Sequence, residues 1–153
     1  MYEKELYVFN KFMNQVLNIN THILIDENLN SIVTAHTDGY YIHVSKEWLK
    51  RVEDELEIFV MCMHEGFHCY QKKCIMEESL SPQIINQWEK EFNNYISPEE
   101  SISGHWNQKI EQTATIFSDI ALYNLAGIHL TEKITRLFNP EDVEFIKRLN
   151  FEF

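Results

Sequence analysis

The sequence predicts an α+β fold: one mostly helical domain over residues 1–153, with a small antiparallel sheet of about three strands. Three observations predict it. Apolar residues recur at helical spacing through most of the chain. Residues 22–44 instead carry short β-branched and aromatic runs. No repeat, low-complexity segment or linker separates the two patterns. A hydrophobic fraction of 44% and an aromatic fraction of 13% suit a chain that buries a core rather than a disordered one.

In chain order, Leu6, Phe9, Val16 and Leu17 predict a first helix over 2–18. The runs "HILI", "SIVTAH" and "YYIHV" follow, separated by the turn-rich "DENLN" and "TDG", and Asp38-Gly39 is a hairpin signal. Ser45 is placed to cap a short helix containing Trp48 and Leu49. A long helix follows over about 53–75. Ser81-Pro82 opens another, because proline fits a first turn, and Ser97-Pro98 breaks it before a loop, "SISG". A further helix runs over about 105–126 and stops at Gly127. Asn139-Pro140 starts a last short one.

The long central helix carries His64-Glu65-Gly66-Phe67-His68, an H-E-x-x-H pattern. At about 100° per residue, Leu56, Phe59, Val60, Met63, Phe67, Tyr70 and Cys74 form its core stripe. His64 and His68 lie together on one flank, about one turn apart, with Gln71 between them and the core. Both imidazoles can then reach one Zn²⁺ at ~2.0–2.1 Å. Glu65 projects round the same side, where it can take a proton from a metal-activated water without ligating the ion. Gly66, on the opposite flank, costs about 1 kcal/mol relative to alanine in a helix, so a neighbouring element is expected to approach it closely.

A zinc site of this type needs a third protein ligand and an open position. Glu111 is the leading candidate, on a helical face with Ala114, Thr115, Ser118 and Leu122, small enough to let two helices pack tightly. His105, Glu99 and Glu100 are its rivals. Gln71 and Cys74 stand where a metzincin motif would continue, which excludes that class.

With Glu111-x-x-Ala114-x-x-Phe117 at a distance after the first motif, the chain resembles the gluzincins, and is most similar to minigluzincins and ImmA/IrrE-like metallopeptidases. The resemblance spans roughly residues 22–126. It implies a zincin-like fold, His64, His68 and Glu111 as metal ligands, Glu65 as general base, and a peptide or protein substrate. Thr115 stands four residues after Glu111, where many gluzincins carry an acid, and Asp119 lies two turns on. A zinc-bound regulatory or binding module with little activity is the alternative expectation.

A net charge of −11 argues against nucleic-acid and anionic-membrane partners. The longest apolar run, "IFVMCM", is too short to span a bilayer, and "MYEKELYVFNKF" is no secretory signal. Three cysteines make no disulfide framework, so a cytoplasmic protein is expected. Cys62 and Cys69, about 10 Å apart along one helix, cannot share an ion and read as inert thiols. His22, His36, His43 and His129 read as structural. Tyr123 and His105 are candidates for stabilising an oxyanion. The strand "YYIHV" is a candidate sheet edge for an extended peptide.

Overall fold

The H-E-x-x-H segment lies in the middle of the longest helix, and the rest of the chain wraps around that helix. A computed structural model describes residues 1–29 and 32–153. Helix α1 (Glu3–Leu17) precedes strands β1 (His22–Asp26), β2 (Ala35–Thr37) and β3 (Tyr41–Ser45). Helices α2 (Lys46–Arg51), α3 (Glu55–Glu77), α4 (Pro82–Asn93), α5 (Ile102–Trp106), α6 (Lys109–Ala126), α7 (Glu132–Thr135) and α8 (Pro140–Arg148) follow. The α+β expectation holds, as one domain around one core.

Local chemistry sets the boundaries. The Ser45 hydroxyl accepts from the Trp48 N–H at 3.2 Å and starts α2. Asp54 caps α3 through the Leu56 N–H at 2.9 Å. Pro82 and Pro140 sit in the first turns of α4 and α8, and Gly127 ends α6 at φ 67°. "SISG" is not a plain loop: Ser101 accepts from the Gly104 N–H and starts the single turn of α5. That turn absorbs His105, so α6 begins later than its periodicity suggests. The "SIVTAH" run yields only the short β2, and its Ser31 falls outside the described residues.

The sheet is mixed rather than antiparallel. Its order is β1-β3-β2, with β1 parallel and β2 antiparallel to β3. The Asp38-Gly39 hairpin joins β2 to β3 as expected. The Asp38 carboxylate accepts from the Tyr40 and Tyr41 N–H groups at 2.9 and 2.8 Å, and Gly39 takes φ 105°. β1, however, pairs with the far side of β3 and not with β2, which the alternation of side chains cannot reveal. β3 is therefore the central strand, with Ile42 and Val44 fully buried, and β2 is an edge.

α3 packs between α1 and α6, with β2 and α4 on further sides. It is buried well beyond the predicted stripe: Ile58, Met61, Cys62, Cys69 and Gln71 join Phe59, Met63, Phe67 and Cys74 in the interior. Gly66 meets the close approach its presence suggested. A Cβ there would lie 2.2 Å from the Met13 sulfur of α1. Behind α3, Phe67 stacks on Phe117 of α6 at 4.9 Å, and Phe151 closes on Phe117 at 5.2 Å. These contacts fix α3 and α6 side by side, which decides what their polar flanks can do.

Candidate metal centre

α3 and α6 run antiparallel, so the His64–His68 flank of one faces the first turns of the other. Glu111 is 2% exposed, and its carboxylate lies between the two rings. His64 Nε2 is 3.0 Å from Oε2, and His68 Nε2 is 3.1 Å from Oε1. The two Nε2 atoms are 3.2 Å apart. One ligand atom from each of the three residues lies within 4.8 Å of the others. Tetrahedral ligands at ~2.0–2.1 Å from an ion stand ~3.3 Å apart, so this spacing suits a metal ion.

The outer nitrogens are tied as well. Gln71 donates its Nε2 to the Ile110 carbonyl at 3.1 Å and the Thr113 hydroxyl at 2.9 Å. Its Oε1 therefore faces His68 Nδ1, at 2.9 Å, and accepts its hydrogen. The Thr115 hydroxyl donates to the Glu111 main-chain carbonyl at 2.9 Å, leaving its oxygen to accept from His64 Nδ1 at a long 3.5 Å. Thr115 thus sets a neutral oxygen beside His64. On both rings Nε2 is left for a proton or a metal ion.

Electrostatics agree. Burial alone would raise the Glu111 carboxyl, but His68 and His64 hold it well below the usual carboxylate range. Burial alone would lower His68, but Glu111 outweighs it and lifts the ring to about 9. Glu65 lines the same cleft, and burial pushes its carboxyl upward against the pull of His68 and His64.

Two neighbours complete the wall. Tyr95, after α4, donates its hydroxyl to Glu111 Oε1 at 3.1 Å, and burial and Glu111 both push that hydroxyl upward. The sequence reading missed it: a tyrosine in the irregular chain after a helix carries no spacing signal. His105, the rival ligand, stands beside the same carboxylate, with Nε2 3.4 Å from Oε2. It lies outside the three-residue cluster.

Other candidates are elsewhere. Glu99 lines the cleft, and Glu100 accepts from the Ser97 hydroxyl. Tyr123 stacks on His129 at 4.5 Å. Asp119 accepts from His129 and the Leu130 N–H, tying α6 to the segment beyond it rather than orienting His64. Cys62, Cys69 and Cys74 are buried and unpaired, and burial raises Cys69 to about 11, the thiol form expected of an inert residue.

The cluster opens on a cleft of about 940 Å³. Its lining includes β2 and the aliphatic residues Leu56, Val60, Leu122 and Ile134. The edge above it is β2 and not the predicted "YYIHV", because β3 is paired on both sides. The Ser45 N–H donates to Thr34 and the Asp38 N–H to Tyr41, so the His36–His43 pair exchanges hydrogen bonds in the antiparallel alternation. Ala35 and Thr37 therefore turn their backbone groups outward, and nothing among the described residues pairs with them.

Fold and site define a class: an α+β domain with a buried His/His/Glu cluster that can bind a metal ion. Set against family models, characterised proteins and solved structures, the chain matches none. Among the described residues no helix is long and apolar enough to cross a membrane.

Proposed function

We propose that this protein is a zinc-dependent peptidase of gluzincin type. The carrying observation is the convergence of His64, His68 and Glu111 on one point of an open cleft that Glu65 also lines. Two imidazoles and one carboxylate are the donor set of a hydrolytic zinc site with a position left open. Zinc held there lowers the pKa of water toward ~7. Glu65 takes a proton from the attacking water as its oxygen bonds to the peptide carbonyl carbon, and returns it to the amine nitrogen as the C–N bond breaks. The outward backbone groups of Ala35 and Thr37 suit an extended peptide laid along β2. Three unpaired thiols suit a reducing compartment, and we place the protein in the cytoplasm.

Zinc content and cleavage test the reading together. Untagged protein should carry close to one equivalent of zinc. Glu65→Gln should keep that zinc and lose hydrolysis of a peptide library, because an amide cannot take the proton. Undiminished cleavage by Glu65→Gln overturns the mechanism. A neutral Thr115 beside His64 favours the second reading, a zinc-bound regulatory module. In that case the parent protein would hold zinc and cleave nothing.

A further inference from the structure

Lys72 lines the same cleft, one turn beyond His68 on α3. Seven residues separate it from Glu65, close to two full turns, so the two side chains share one face of the helix. The sheet follows that face. The Thr37 hydroxyl lies 3.1 Å from the Cys69 thiol, and a Cβ on Gly39 would stand 3.3 Å from the Lys72 Cδ. β2 and the turn after it therefore run along α3 from the cluster toward Lys72.

The lysine is held at both ends. Its stem passes the Gly39 backbone, and its ammonium sits over the Phe92 ring of α4, 5.1 Å from the centroid. Among the described residues it forms no hydrogen bond or ion pair. Among them it is also the one lysine or arginine in the cleft lining. The lining carboxylates are engaged or stand apart: Glu111 in the cluster, Glu65 beside it, Asp54 and Glu57 at the start of α3, Glu99 after α4. In a chain of net charge −11, a positive charge fixed in the cleft with its hydrogens unused favours an anionic group there.

We propose that Lys72 is a specificity-determining residue that receives a carboxylate of the peptide substrate. The assignment rests on the peptidase reading above. Along the helix axis Lys72 stands about 9 Å beyond the midpoint of His64 and His68, at a rise of ~1.5 Å per residue. An extended peptide advances about 3.3 Å per residue, which puts the carboxylate about two or three residues from the bond cleaved. An acidic side chain or the free C-terminus can supply it. Lys72 is not one of the clustered ligands, so its effect falls on which peptide is held and not on the chemical step.

Matched peptides separate this role from a structural one. Each starts from a sequence that the parent cleaves in a peptide library. One set carries glutamate or glutamine at each of the three positions on either side of the cut bond. A second set ends, within the same span, in a free carboxylate or an amide. The parent should favour the carboxylate about ten-fold in kcat/KM, chiefly through KM, the effect of one charge-assisted hydrogen bond. Lys72→Met keeps an apolar stem between Gly39 and Phe92 and should bring that preference to about one. Lys72→Glu should invert it, so that lysine is favoured over glutamate at the same position. Binding of the same peptides to Glu65→Gln protein, with and without the Lys72 changes, should follow the same order by fluorescence anisotropy. A preference confined to the first set assigns the side chain and one confined to the second assigns the C-terminus; either supports the proposal. No carboxylate preference in the parent, or one that survives in Lys72→Met, overturns the Lys72 assignment and leaves the peptidase reading standing. A parent that cleaves no peptide overturns both.

Discussion

Gln71 shows how one neutral side chain sets the chemistry of a charged site. Its amide is fully used: Nε2 on Ile110 and Thr113, Oε1 on His68. Replacing it with methionine, similar in length but without an amide, frees His68 Nδ1 and removes one of the donors to the Ile110 carbonyl. Gln71→Met should weaken zinc binding about 10- to 100-fold in a chelator competition, with far-UV circular dichroism unchanged. Unchanged affinity would mean that packing alone orients His68. His64, His68 and Glu111 were legible because helical spacing fixes which residues share a face. Gln71 was placed beside the histidines by the same spacing, though its role was not. The placement of Tyr95 and His105 beside Glu111 depends on how the chain between α4 and α6 folds back, and no periodicity encodes that.

Among the elements, the α1–α3 contact is tightest at Gly66. An alanine there would drive its methyl into Met13, a residue with no exposed surface. Overpacking of about 1–3 kcal/mol should outweigh the ~1 kcal/mol that alanine gains in helix propensity. Gly66→Ala should therefore lower the midpoint of urea unfolding, and Met13→Ala combined with it should cost less than the two changes summed. Strict additivity would sink the steric account. The hairpin makes a different prediction. The Tyr41 and Tyr40 N–H groups hold the Asp38 carboxyl down at about 2, from 3.8. A depressed folded value means stability present above the ordinary value and lost as pH falls toward 2. Asp38→Asn keeps an acceptor for the turn but has nothing to titrate. The stability gap between parent and variant should narrow between about pH 5 and 2, as followed by urea unfolding; a constant gap excludes Asp38 as its source. The turn itself was readable from Asp38-Gly39. The partner of β1 was not, because alternation says which face is buried and nothing about which strand lies alongside.

Across the whole molecule, the His64, His68 and Glu111 cluster joins two helices that are distant in sequence and stacked through Phe67 and Phe117. An ion bound only by the folded chain stabilises it by mass action, about 4 kcal/mol at a free concentration a thousand-fold above Kd. For a chain of this size that is about 8–16 °C in Tm. Calorimetry should show such a rise for the parent on adding zinc, and little for Glu111→Ala. An equal rise in the variant would place the ion elsewhere. The fold class was legible because helical and strand periods occupy separate stretches of the chain. The extent of α3's burial was not, since that depends on four neighbours closing round one helix.

The β1-β3-β2 order also constrains how the chain finds this structure in time. β2 and β3 are neighbours along the chain and close through a short turn, an event of about 1–10 μs. β1 must then dock in parallel on the opposite side of β3, across a longer loop with a larger entropic penalty. Nucleation at the hairpin and late capture of β1 follow. Destabilising changes at the turn should therefore slow refolding, whereas Ile25→Ala, on β1 and packed against the core, should chiefly speed unfolding. Stopped-flow measurements of both rates would reveal the order of assembly, and a refolding rate governed by Ile25 would reverse it.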